Sequence, residues 1–119
     1  MMLNKEEWIE DWRINNDCDS ISLSLIEVFT SFLTYLKQER KLSEKTIKKH
    51  QLSCHALGGH IVNDLFNSES PTGDKSKTST ELIVQYLSSH EGPLIFQDNE
   101  NWQEEIDATC RKLFKYINL

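Results

Sequence analysis

A chain of 119 residues with 38% hydrophobic and 27% charged side chains holds enough apolar surface for one core, not two. No apolar run approaches the roughly 20 residues that cross a bilayer, and the opening Met1-Met2-Leu3-Asn4-Lys5-Glu6 lacks the apolar centre of a signal peptide. Cys18, Cys54 and Cys110 are an odd number, which suits free thiols in a reducing compartment and points to the cytoplasm, with no membrane partner.

In chain order, Asn4 followed by Lys5-Glu6-Glu7 offers an N-cap side chain and a carboxylate at the third helical position. Trp8, Ile9 and Trp12 then mark a short amphipathic helix fading into Asn15-Asn16-Asp17. Its two tryptophans are core cover first and a partner surface second. A long helix starts within Asp19-Ser20-Ile21-Ser22 and runs to about Arg40. Leu25, Phe29, Phe32, Leu33 and Leu36 recur on it at spacings of three and four, which places them on one face. Val28 and Tyr35 widen that stripe, so the helix is expected to be buried against more than one neighbour.

After the corner Lys41-Leu42-Ser43 a second long helix opens, capped by the Ser43 hydroxyl. Ile47, His50, Cys54, Leu57, Ile61 and Leu65 form its apolar face. Adjacent glycines at Gly58-Gly59 cost about 2 kcal/mol relative to alanines in a helix interior. They predict a kink or a break there, or else a close approach by another helix. From 67 to 79 the chain is polar and rich in serine and threonine, a composition that predicts a flexible surface loop. Thr78-Ser79-Thr80-Glu81 fits a capping box, and Leu82, Ile83, Tyr86 and Leu87 predict a short helix ending near His90 before Gly92-Pro93. Pro93-Leu94-Ile95-Phe96 reads as an apolar turn tucked into the core. Asn101-Trp102-Gln103-Glu104 predicts the cap of a final helix striped by Trp102, Ile106, Cys110, Leu113 and Ile117, with Phe114 beside them. No window alternates strictly, so no sheet is expected. The expected fold is all-α, a compact bundle of four to five helices around the central helix–corner–helix pair, in one domain spanning 1–119.

Charge is uneven along this bundle. Between Lys37 and His50 lie six of the thirteen cations (Lys37, Arg40, Lys41, Lys45, Lys48, Lys49) and two of the nineteen anions (Glu39, Glu44), a local charge of +4. Seven cations against seventeen anions, a charge of −10, remain for the rest. A basic knuckle on an acidic body can bind phosphate or acidic groups. It can equally be a solvated turn whose cations complement the negative dipole end of the first long helix, and solvated turns are the commoner case.

Catalytic and metal chemistry find little support. His50 and Cys54 stand four apart on one helix, but His55 and His60 fall on other sides of it, and no CxxC or HExxH spacing occurs. Ser53-Cys54-His55 sets a nucleophile and a base on different helical faces. Glu104, Glu105 and Asp107 complement a helix dipole. Gly73-Asp74-Lys75-Ser76 lacks the second glycine, the one before the lysine, and the preceding strand of a phosphate-binding loop. The expectation is a protein that is no enzyme and carries no cofactor.

The run Phe32-Leu33-Thr34-Tyr35-Leu36 followed by Arg40-Lys41-Leu42-Ser43-Glu44-Lys45-Thr46-Ile47 resembles the N-terminal, SAM-like core-binding domain of tyrosine recombinases. It is also similar to a helical region of bacterial proteins bearing the SEC-C motif, whose aromatic ending Arg111-Lys112-Leu113-Phe114-Lys115-Tyr116 matches. The resemblance covers the central third of the chain. It implies a helical fold and DNA contacts at Lys41, Ser43, Lys45, Thr46, Lys48 and Lys49. The recombinase catalytic residues are not carried over: Arg13, Arg40 and Arg111 do not rebuild the arginine-rich site, and Tyr116 has no case as nucleophile. The first functional expectation is therefore a non-catalytic helical interaction module binding another protein or itself. The second is a DNA-associated accessory domain using the basic corner 37–50.

Overall fold

The computed structural model describes residues 3–88 and 91–119. Among them run five α-helices, α1 (Lys5–Trp12), α2 (Asp19–Gln38), α3 (Glu44–Asn67), α4 (Ser79–Val84) and α5 (Glu100–Ile117), with no strand. The all-α expectation holds. No helix here is long and apolar enough to cross a membrane. A Cα radius of gyration of 13.4 Å is that of one compact domain of this length.

The capping chemistry accounts for most helix starts. Asn4 accepts a hydrogen bond from the Glu7 amide, and Ser43 from the Thr46 amide. At α4, Thr78 and Glu81 form the full reciprocal capping box. α2 starts without a side-chain cap, continuing from a 3-10 turn at Asn16–Cys18. The Arg13 guanidinium grips the Asp19 carboxylate through two bonds of 2.9 and 2.8 Å across that junction.

α2 lies at the centre, touching α1, α3 and α4, while α5 packs on α3. Leu25, Phe29, Phe32, Leu33 and Leu36 of α2 are all buried, as are Ile47, His50, Cys54, Leu57, Ile61 and Leu65 of α3 and Ile106, Cys110 and Leu113 of α5. The two long stripes therefore face the core as their spacing predicts.

The expected kink or break at Gly58-Gly59 is corrected by the structure: α3 runs unbroken from Glu44 to Asn67. The glycines make room for a neighbour, and that neighbour is a side chain of α1. The Trp12 indole lies flat on them, and a Cβ at Gly58 would stand 2.3 Å from two of its ring carbons. Its Nε1 donates to the His55 carbonyl at 3.0 Å. Phe29 meets the ring edge-on at a centroid distance of 6.4 Å, so one side chain ties three helices together.

Further corrections concern the second half. α4 stops at Val84, short of the expected end near His90, a residue outside the described set. The cap of α5 is Asn99, not Asn101. Its first turn projects past the core, so Trp102 is 55% exposed instead of continuing the stripe, and it meets Phe96 edge-on at 5.1 Å. In the preceding segment Ile95 and Phe96 pack against the core, while Leu94 is 63% exposed. That segment is fastened by Gln103, whose carboxamide oxygen accepts from the Ile95 and Phe96 amides and whose nitrogen donates to the Pro93 carbonyl and Asp107.

The polar run 67–79 has anchors that its composition does not reveal. The Tyr86 hydroxyl donates to Asp64 and accepts from the Gly73 amide, which is buried. Asp64 also accepts from the Thr72 amide at 2.8 Å, and Gln85 from the Asp74 amide at 2.9 Å.

Two sets of substitutions test this packing. Gly58→Ala should lower stability despite alanine's helix preference of about 1 kcal/mol, because the new methyl displaces the indole; Gly59→Ala, with its nearest ring atom at 3.3 Å, should cost much less. Equal urea midpoints for the two variants would contradict the indole placement. Leu33→Ala and Leu113→Ala, at fully buried positions, should each cost about 2–5 kcal/mol in denaturant unfolding.

Candidate functional site

At the corner, the chain leaves α2 through Lys41, whose φ of 52° is the left-handed conformation. For a residue other than glycine this costs about 1 kcal/mol. The Leu42 amide then donates back to the Leu36 carbonyl at 3.2 Å, and the Leu42 side chain packs on the core. The Ser43 hydroxyl donates to Thr46 Oγ1 at 3.0 Å while accepting from the Thr46 amide at 3.3 Å. Both hydroxyls of the expected contact set are thus engaged locally. Lys41, Lys45, Lys48 and Lys49 are exposed, the last three at helical spacings that put them on one face. Lys49 stands 4.0 Å from Glu105 of α5. The corner therefore displays four exposed lysines.

A concave cationic feature lies next to it, between the end of α2 and the second half of α5. A cleft of about 490 Å³ is lined by Tyr35, Leu36, Arg40, Ala108, Arg111, Lys112, Lys115 and Tyr116. Leu36 is buried, and the Tyr35 and Tyr116 rings lie 5.0 Å apart, with Tyr116 also against Phe32. Helical spacing brings Arg111, Lys112 and Lys115 to one side of α5, and Arg40 meets them from the last turn of α2. Burial holds the Lys112 ammonium below the usual lysine range, and Arg111 and Arg40 push it the same way. Arg111 also borders a groove of opposite character lined by Glu104, Glu105 and Asp107. Of these cations only Arg40 belongs to the run singled out from sequence. The signal for the others was the Arg111-Lys112…Lys115 spacing, uninformative until α5 was placed beside α2.

Behind the cleft, His50 is buried and its Nδ1 lies 2.7 Å from Thr109 Oγ1. The Thr109 hydroxyl gives its single proton to the Glu105 carbonyl at 3.0 Å, so it accepts from His50. The neutral ring therefore carries its proton on Nδ1, and Nε2 is buried with no hydrogen-bond partner. Desolvation, reinforced by the Lys112 charge, pushes the imidazolium pKa down to about 4. The other described histidines go elsewhere: His55 to Asp11 at 3.0 Å, His60 edge-on to Tyr86 at 5.9 Å. All three cysteines are free and buried. Burial raises the Cys54 thiol well above its usual value and the Cys110 thiol to about 12. At neutral pH both remain thiols, the form that is neither nucleophile nor metal ligand. Among the described residues no group of three or more His, Cys, Asp or Glu converges in a way that could hold a metal.

Comparison with protein-family models, with curated proteins and with solved structures finds no match.

The His50 environment sets a pH dependence. Above about pH 6.5 the ring is neutral in both folded and unfolded chains, and its contribution to stability is complete. As pH falls from about 6.5 to about 4, the unfolded chain takes up a proton that the folded one refuses, so stability declines by up to about 3 kcal/mol. Urea unfolding followed from pH 7 to 4 should show a shallower decline for His50→Asn, which keeps a donor to Thr109; parallel profiles would remove His50 as a cause.

Proposed function

We propose that this chain is a non-catalytic helical interaction module that presents the cationic end of its bundle to an anionic partner. The observation that carries this reading is the α2–α5 cleft, where Arg40, Arg111, Lys112 and Lys115 converge and no carboxylate lines the wall. Outside residues 37–50 the chain sums to −10, a balance that disfavours a negatively charged partner on the body and leaves the cationic cleft to accept it. The exposed Trp102 and Leu94 offer a second, apolar contact of the kind that protein partners use.

A DNA-associated accessory domain is the second reading, and one observation favours it. Nine of the thirteen cations fall within 37–49 and 111–115, segments joined by the α2–α5 cleft and the α3–α5 packing. The resemblance at the corner supports the same assignment. Against it stands the net charge of −6, since nonspecific DNA affinity is dominated by phosphate contacts.

Heparin chromatography separates the surfaces. Replacing Arg40, Lys112 and Lys115 with glutamine should advance elution and flatten its salt dependence by about three contacts. Replacing Lys45, Lys48 and Lys49 should leave elution close to wild type and stability within about 0.5 kcal/mol per site. The opposite pattern, with duplex DNA bound at physiological salt and released by the corner substitutions, would overturn the first reading in favour of the second.

A further inference from the structure

We propose that the α2–α5 cleft binds the phosphate groups of a nucleotide, with Arg40, Arg111, Lys112 and Lys115 around the phosphates and Tyr35 and Tyr116 against the base. This deepens the anionic-partner reading and rests on it. The chemistry follows from what lines the cleft. Every polar side chain there is a hydrogen-bond donor: two guanidiniums, two ammoniums and two phenols, with no Asp, Glu, Asn or Gln. A wall of donors calls for a ligand made of acceptors, and phosphate supplies three such oxygens on one atom.

Charge density narrows the choice further. Four cations share about 490 Å³, and Lys112 is half-buried with Arg111 and Arg40 acting on it. A single carboxylate brings one negative charge to such a space, whereas a diphosphate brings two to three in a compact group. Arginine's planar fork matches phosphate oxygens two at a time, and lysine adds a point charge. The volume lies within the range of small-molecule clefts. Tyr35 of α2 and Tyr116 of α5 line the cleft with their rings 5.0 Å apart, which gives an aromatic wall beside the cations, the pairing that lets a base stack while its phosphates are held. A free nucleotide and the phosphorylated end of a nucleic acid share this chemistry.

Calorimetric titration of the whole chain tests the proposal, using ADP, inorganic pyrophosphate, adenosine, a poly-glutamate peptide, and short single-stranded oligonucleotides with a 5′-phosphate or a 5′-hydroxyl. Pyrophosphate and ADP should bind, ADP the more tightly, and adenosine should not. Lys112→Gln and Lys115→Gln should each weaken ADP by about tenfold, and Tyr116→Leu should bring ADP down to pyrophosphate without changing pyrophosphate. Circular dichroism and melting of each variant separate lost binding from lost folding, and Lys115→Gln, at an exposed position, keeps the test open if the others unfold. An oligonucleotide that binds only with its 5′-phosphate, and more tightly than ADP, supports the proposal and assigns the source to a nucleic-acid end; tighter ADP supports it and assigns a free nucleotide. Poly-glutamate binding without pyrophosphate or ADP would overturn the phosphate assignment and leave the anionic-partner reading standing. Adenosine binding as tightly as ADP would overturn it as well. Failure of every anion, heparin included, would remove both.

Discussion

The seat of Trp12 on Gly58-Gly59 is the contact on which the arrangement of the first three helices depends. α1 has only eight residues and two buried side chains, too little to persist as a helix by itself. It is held because an indole finds a flat patch of α3 backbone, a carbonyl for its N–H, and the edge of Phe29. The magnitudes favour the exchange. Two glycines cost α3 about 2 kcal/mol, while burying most of an indole removes roughly 200 Å² from water, about 5 kcal/mol as an upper figure. Trp8 joins the same cluster, 5.5 Å from Trp12 and edge-on to His55.

The helices that the sequence made legible are those whose periodicity is long enough to outweigh local accident. α2 and α3 each carry five or more apolar positions in phase, and all of them are buried. Where the pattern was short, neighbouring candidates competed. Asn99 and Asn101 are both acceptable caps, and the choice between them depends on where segment 93–96 crosses α5, which no local signal contains. Trp102 fits the stripe by spacing, yet the buried part of α5 begins one turn after it, at Ile106. The glycine pair shows the limit most plainly. Helix propensity correctly priced the defect and did not identify what compensates it, because Trp12 is far away in sequence.

The same reason explains the candidate site. The corner cations were visible because they are contiguous, and contiguity is a poor guide to convergence. Lys45, Lys48 and Lys49 point out along one exposed face, whereas Arg40 gains neighbours only when α5 is laid antiparallel to α2. The buried polar groups were equally hidden. His50 was expected in the core, but its tautomer follows from a relay through Thr109 to the Glu105 carbonyl that only tertiary packing assembles.

The uneven charge means that the net value of −6 does not describe what an approaching ion meets: residues 37–50 sum to +4 and the rest of the chain to −10. Beyond the Debye length, about 8 Å at physiological ionic strength, the fields of both parts are largely screened. Dilute salt lengthens the reach of each part and added salt shortens it, so the two signs are felt separately only at close range.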